Sequence, residues 1–211
     1  MILAIDGAST DLSIALSTED GTPIAEDAWT SAQRQSAELL PRVLALLGGS
    51  GRTVGDVTAV AVGTGPGSFT GLRVAMALAK GLALALRRPI VGVPSLVAWL
   101  EQEPDAAAAV ARAGAREGYV LLRDADGPVI AEADRLATRL AGRPVVAPTE
   151  LAAAFELSGA RSPVAAPAVA RIAARRLAAD PTGDDLQKLE PVYLRAPRGL
   201  AAAPEGEVRW L

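Results

Sequence analysis

The strongest constraint on this chain is a segment with no polar side. From about residue 71 to 87, Val74, Ala75, Met76, Ala77, Leu78, Ala79, Leu82, Ala83, Leu84, Ala85 and Leu86 leave almost no polar face when wound as a helix. A helix apolar all round must be covered all round. A sheet can cover one face; the other needs something else. A second helix, over 34–47, has the same excess, with Leu39, Leu40, Val43, Leu44, Leu46 and Leu47 at helical spacing. Either the two helices bury each other, or they build an apolar surface that a protein partner or a second copy covers. The run Val74–Leu86 is broken by Lys80 and Gly81 and reads as too short to cross a bilayer. Met1 to Ile5 is too short for a signal segment and is stopped by Asp6, so a cytoplasmic, non-membrane protein is the expectation.

Two absences narrow the chemistry. The chain contains neither Cys nor His. That removes disulfides, thiolate nucleophiles, imidazole bases and every metal site built on those ligands, so neither a metal nor a cofactor is expected. The net charge of −3 gives no broad basic field for nucleic acid. Half of the residues are hydrophobic, yet there are only three Trp, two Tyr and two Phe, so the core must be made of small side chains on closely approaching elements.

Period and punctuation outline the elements. ILAID at 2–6, LSIALST at 12–18 and IAEDAW at 24–29 read as an antiparallel meander, with an Asp-Gly turn at 20–21. The helix at 34–47 contains Pro41, which kinks it or marks its effective start, and Gly48-Gly49 ends it. A strand at 57–62 runs into GTGPGSFTGLR at 63–73 and the apolar helix; a strand at 90–93 and a helix at 94–101 follow. The polar EQEPD at 101–105 reads as a boundary. Beyond it, strands at 107–113, 117–123, 127–132 and 144–147 and helices at 133–141, 149–157 and 165–179 form a looser repeat of strands then helices. The expected organisation is an N-terminal lobe 1–103, a smaller lobe 104–195 and a poorly ordered tail 196–211.

Two loops carry candidate chemistry. Gly63, Gly65, Gly67 and Gly71 lie between a strand and a helix, which could aim amides at an anion. No Lys follows the last glycine and the third glycine is misplaced for a dinucleotide fingerprint, so a purely structural tight loop is the competing reading. Asp6, Gly7, Ser9 and Thr10 end the first strand; they suit magnesium and phosphate, or an ordinary turn. Arg171, Arg175 and Arg176 make either a small phosphate patch or a solvated helix face, and the acidic residues near the turns read as solvated.

ILAIDGAS at 2–9, RQSAELLP at 34–41, GTGPGSFTGLRVAMALAKGLA at 63–83, VGVPSL at 91–96, AREGYV at 115–120 and EPVYLR at 190–195 occur together and in order. This set resembles the TsaB (YeaZ) family. The resemblance implies an α/β, actin-like (ASKHA, ribonuclease H-like) fold with two related lobes. It implies a non-catalytic paralogue of TsaD, working with TsaD and the ATPase TsaE to install threonylcarbamoyl on the adenosine beside the anticodon of tRNAs reading ANN codons. It further implies a heterodimer with TsaD through the N-lobe helices, a homodimer when alone, and contact with tRNA only through the complex. Leu39, Leu40, Val43, Leu47, Val74, Leu78 and Leu82 would face the partner. Gly65, Pro66, Gly67, Ser68, Phe69, Thr70, Gly71 and Arg73 would shape that interface, and Asp6, Gly7, Ser9 and Thr10 would be a vestigial phosphate loop. Gln35 and Gly114 stand where many relatives carry His and Asp. The alternative from another class is a free-standing ASKHA enzyme, an ATP-dependent kinase or a glycoprotease-like peptidase.

Overall fold

Side-chain size sorts the two faces of the first strand, β1 (Ile2–Asp6), in the computed structural model, which describes residues 1–31, 34–157 and 159–194. Leu3 and Ile5 point to one side; Ile2 and Ala4 point to the other. β1 pairs antiparallel with β2 (Asp11–Ser17), which pairs with β3 (Pro23–Thr30), and pairs parallel with β4 (Ala59–Gly63), which pairs with β5 (Ile90–Val93). The sheet order is therefore β3-β2-β1-β4-β5.

The large-residue face of this sheet packs under α1 (Gln35–Gly49) and α2 (Phe69–Leu86). Trp29 ties α1 down: its Nε1 donates to Glu38 at 3.0 Å, and Arg42 lies 4.4 Å above its ring while pairing with Asp27 at 2.8 Å. Pro41 sits inside α1, which runs continuously from Gln35. α2 begins two residues earlier than its apolar pattern because Ser68 caps it, its Oγ accepting from Gly71 N at 3.2 Å. At 18 residues it is long and apolar enough to cross a membrane by length and composition, contrary to the shorter reading of the sequence. Its Leu72, Ala75, Met76, Ala79 and Ala83 are buried within the chain.

The small-residue face takes α6 (Ala166–Ala179), against which α3 (Ser95–Gln102) packs. Ala4, Ala15, Ala59 and Ala61 on the strands share one core cluster with Ala168, Ala170, Ala173 and Ala174 of α6. Alanine against alanine lets helix and sheet approach closely, and this is where the alanine excess is used.

The second sheet repeats the first. β6 (Ala108–Arg112), β7 (Glu117–Leu122) and β8 (Val129–Glu132) form the meander; β9 (Val145–Val146) and β10 (Ala160–Arg161) add parallel strands, giving the order β10-β9-β6-β7-β8. α4 (Ala133–Arg139) and α5 (Thr149–Ala154) connect them. Both sheets thus have three antiparallel strands followed by two parallel ones in the same spatial order, which is the duplicated ribonuclease H-like architecture of actin-like folds. β10 and the 3-10 turn at Val54–Asp56 escaped the sequence reading because two or three residues carry no periodic signal. Arg195 and the tail 196–211 lie outside the described residues.

α6 follows the second sheet in the chain but packs on the first, and its start is capped from there. Ser13 Oγ, buried on β2, accepts from Ala165 N at 3.1 Å and Ala166 N at 3.0 Å. Ser13→Ala is expected to lower unfolding free energy by about 1–2 kcal/mol in urea melts; an unchanged midpoint would remove this cap from the account.

Candidate functional site at the interlobe cleft

The site begins with a carboxylate that has lost its water. Asp6 is 1% exposed. Its Oδ2 accepts from Ser95 Oγ at 2.6 Å and its Oδ1 accepts from Ala8 N at 3.2 Å. Ser95 Oγ in turn accepts from Gly65 N at 3.0 Å, which fastens the glycine loop to the same carboxylate. Gly63 makes room for the arrangement: a Cβ there would stand 1.9 Å from Asp6 Oδ2 and 2.6 Å from Ser95 Oγ. Burial pushes the Asp6 pKa above the ordinary carboxylate value, and the bonds from Ser95 and Ala8 offset this only in part.

The glycine loop lies directly on the turn after β1. A Cβ on Gly67 would meet the Ala8 carbonyl oxygen at 2.0 Å, and one on Gly71 would meet the Gly7 oxygen at 2.2 Å. Backbone touches backbone, so only glycine fits. Ser68 N donates to Ala8 O at 2.7 Å, Gly71 N to Ser68 Oγ, and Leu72 N to Ser68 O at 2.9 Å. Gly65 N, Ser68 N, Gly71 N and Leu72 N are thus bonded within the chain, which supports the tight structural reading of this loop. Ser9 is likewise committed, donating to Asp11 O at 2.9 Å and accepting from Asp11 N at 3.0 Å.

Beside the closed loops lies a cleft of about 540 Å³ between the lobes. Ser9, Thr10, Ser68 and Phe69 line it from the first lobe; Arg112, Tyr119 and Glu150 line it from the second. Tyr193 reaches its rim from the segment after α6, where Val192 N donates to Thr64 O at 2.8 Å. Arg73 stacks its guanidinium 3.8 Å from the centre of the Phe69 ring and donates from Nε to Tyr193 Oη at 3.0 Å. Phe69 and Tyr193 themselves lie 5.5 Å apart between ring centres. Two motifs separated by more than a hundred residues therefore meet at one corner, joined by Arg73. Composition and period gave no sign of this meeting, nor of Ser95 as the partner of Asp6, although both lie inside quoted motifs.

The helical residues expected to face a partner divide in two. Leu39, Val43 and Leu47 are buried in the chain's own core, a correction that follows from their i, i+4, i+8 spacing on the inner stripe of α1. Leu40 is exposed at 42%, and Val74, Leu78 and Leu82 are half-buried. Leu44, at 48%, and Leu84, at 68%, are more exposed still. A Cβ on Gly81 would meet nothing within 4 Å. Ala37, Leu40, Pro41 and Leu44 of α1, with Ala77, Gly81, Leu84 and Ala85 of α2, thus form an apolar outward face, with Arg73 and Lys80 of α2 at its edge. Of the three arginines of α6, Arg175 and Arg176 lie on a solvated helix face, and all three are paired there: Arg175 and Arg171 with Glu101 at 2.6 and 3.5 Å, and Arg176 with Asp184 at 2.6 Å.

Because the native carboxyl of Asp6 is easier to protonate than the unfolded one, its contribution is fully present below the unfolded pKa and is lost as pH rises through the raised value. The stability of the parent relative to Asp6→Asn should therefore decline as pH increases from acid toward neutral. Urea melts of both proteins across that window check it; a constant difference would contradict it.

Comparison with known proteins places this geometry. The sequence-family model of the tRNA N6-adenosine threonylcarbamoyltransferase TsaD matches residues 30–152, more than half of the chain. The tRNA threonylcarbamoyladenosine biosynthesis protein TsaB of Escherichia coli is 42% identical over 96 residues, 46% of this chain and 41% of that protein. Its Bacillus subtilis counterpart is 42% identical over 95 residues, covering 45% of this chain and 41% of that protein. The matched segment thus spans about two fifths of the curated relatives. A Pseudomonas aeruginosa crystal structure, of a protein described as similar to peptidase YeaZ, superposes with a TM-score of 0.72 at 27% identity and covers 92% of this chain and 99% of that one. YeaZ from the same organism gives 0.68 at 24% identity over the same shares, a likeness of fold. Motifs, duplicated fold and these matches agree: the chain belongs to the TsaD-like family, in its TsaB/YeaZ branch.

Proposed function

We propose that this protein is the non-catalytic subunit of a tRNA threonylcarbamoyladenosine assembly, stabilising and activating a TsaD-type transferase with the help of a TsaE-type ATPase. The observation that carries the reading is the apolar outer face of α1 and α2. Leu40, Leu44 and Leu84 stand in water there, and Ala77, Gly81 and Ala85 recur every four residues beside them. Small residues in a row let a partner helix come close, and flanking leucines supply apolar area. The same face would hold a second copy of the chain when the partner is missing.

The loops support the absence of chemistry in this subunit. Asp6, the carboxylate that ends β1, is closed off by Ser95 and the glycine loop. A chain without His or Cys has few other groups with which to do the work of a transferase or peptidase. A net charge of −3 fits a subunit that meets tRNA through its partner. In this reading the protein works in the cytoplasm and carries no cofactor.

Leu40→Asp and Leu84→Arg put charge on exposed positions and should leave the fold intact. Each is expected to weaken association with the TsaD-type subunit at least about tenfold, the scale of a truncated interface anchor. Tethered-partner binding and reconstituted tRNA modification read this out. Full binding and full modification by both variants would overturn the assignment. Transferase, peptidase or ATPase activity of the purified chain alone would favour the enzyme reading instead.

A further inference from the structure

The polar segment at the lobe boundary is held from both sides. Glu101 accepts from both terminal nitrogens of Arg175, at 3.1 and 2.6 Å, and lies 3.5 Å from Arg171, whose Nη2 donates to Gln102 at 2.9 Å. These contacts fix the end of α3 to α6, both on the first lobe. From the second lobe, Arg123 at the end of β7 donates to three carbonyl oxygens: Ala106 at 2.7 Å, Leu100 at 3.0 Å and Glu103 at 2.7 Å. Arg161 on β10 pairs with Glu103 at 2.6 Å. A single exposed ion pair contributes little, but Arg123 grips carbonyls at the C-terminal end of α3, where a cation is favoured.

The core reinforces the same junction. Trp99 and Leu96 of α3, Val91 and Val93 of β5, Ala109 and Ala111 of β6, Tyr119 and Leu121 of β7 and the alanines of α6 belong to one continuous buried cluster. Lobes joined by small polar contacts move by default; lobes that share a dry core do not.

We propose that the two lobes are latched at a single opening by this arginine-bound crossover over a shared core, so the cleft is a preformed surface and not a jaw. Arg123 and Arg161 are the grips from the second lobe, and the 101–106 segment is what they hold. A rigid subunit of this kind presents a fixed face to its surroundings.

The absence of cysteine makes the test direct. Glu26→Cys and Asp126→Cys place one spin label on an exposed position of each lobe. Pulsed electron resonance on this pair should give one narrow interlobe distance, and adding Arg123→Met with Arg161→Met should broaden it. A broad or two-peaked distribution in the parent, or an equally narrow one without both arginines, would overturn the latch. If the double variant fails to fold, Arg161→Gln alone is read by amide exchange over 103–107. Faster exchange there is expected, and unchanged protection would count against the proposal.

Discussion

Everything at the heart of this molecule depends on how closely the glycine loop can lie on the turn after β1. Gly67 rests on the Ala8 carbonyl and Gly71 on that of Gly7, at separations that no side chain could share. That approach sets where α2 begins, because Ser68 must both bond Ala8 and cap the helix. It also seals Asp6 under Gly63 and Ser95. A loop of this composition can be an anion cradle when its amides point outward. Here the amides of Gly65, Ser68 and Gly71 are bonded within the chain, and the glycines serve as packing elements.

The closed loop and the open helices are two sides of one arrangement. With α2 anchored at its N-terminus, its inner stripe of Leu72, Ala75, Ala79 and Ala83 fills the space above β1 and β4. Ala77, Gly81, Leu84 and Ala85 are turned to solvent beside the outer face of α1, with Arg73 and Lys80 at the edge. The corner where Arg73, Phe69 and Tyr193 meet joins that surface to the cleft, since Phe69 lines the cleft and Arg73 sits one turn further along α2.

Much of the fold was legible before any coordinates. The meander, the two long helices and the repeat in the second half follow from period and turn residues, because each is a local consequence of which side chains must be dry. The orientation of the α1 leucines was not. Leu39 and Leu40 are equivalent by composition, yet one is buried and the other faces water, and the broad stripe on which both lie does not mark its own centre. The arginines of α6 were equally opaque, since their partners Glu101 and Asp184 come from elsewhere in the chain.

Through the resemblance its motifs carry, the sequence pointed to a two-lobed α/β fold. By itself it determined that the core is built from small residues and that imidazole and thiol chemistry are closed to the chain. These follow from residue identity and spacing alone. Only the tertiary structure decided that Asp6 is sealed, that Ser13 caps a helix from the opposite end of the chain, and that two distant motifs share Arg73. Each of those outcomes rests on a contact between residues far apart in the chain, and the geometry of such contacts is set by how sheets and helices stack, not by the pattern along any one of them.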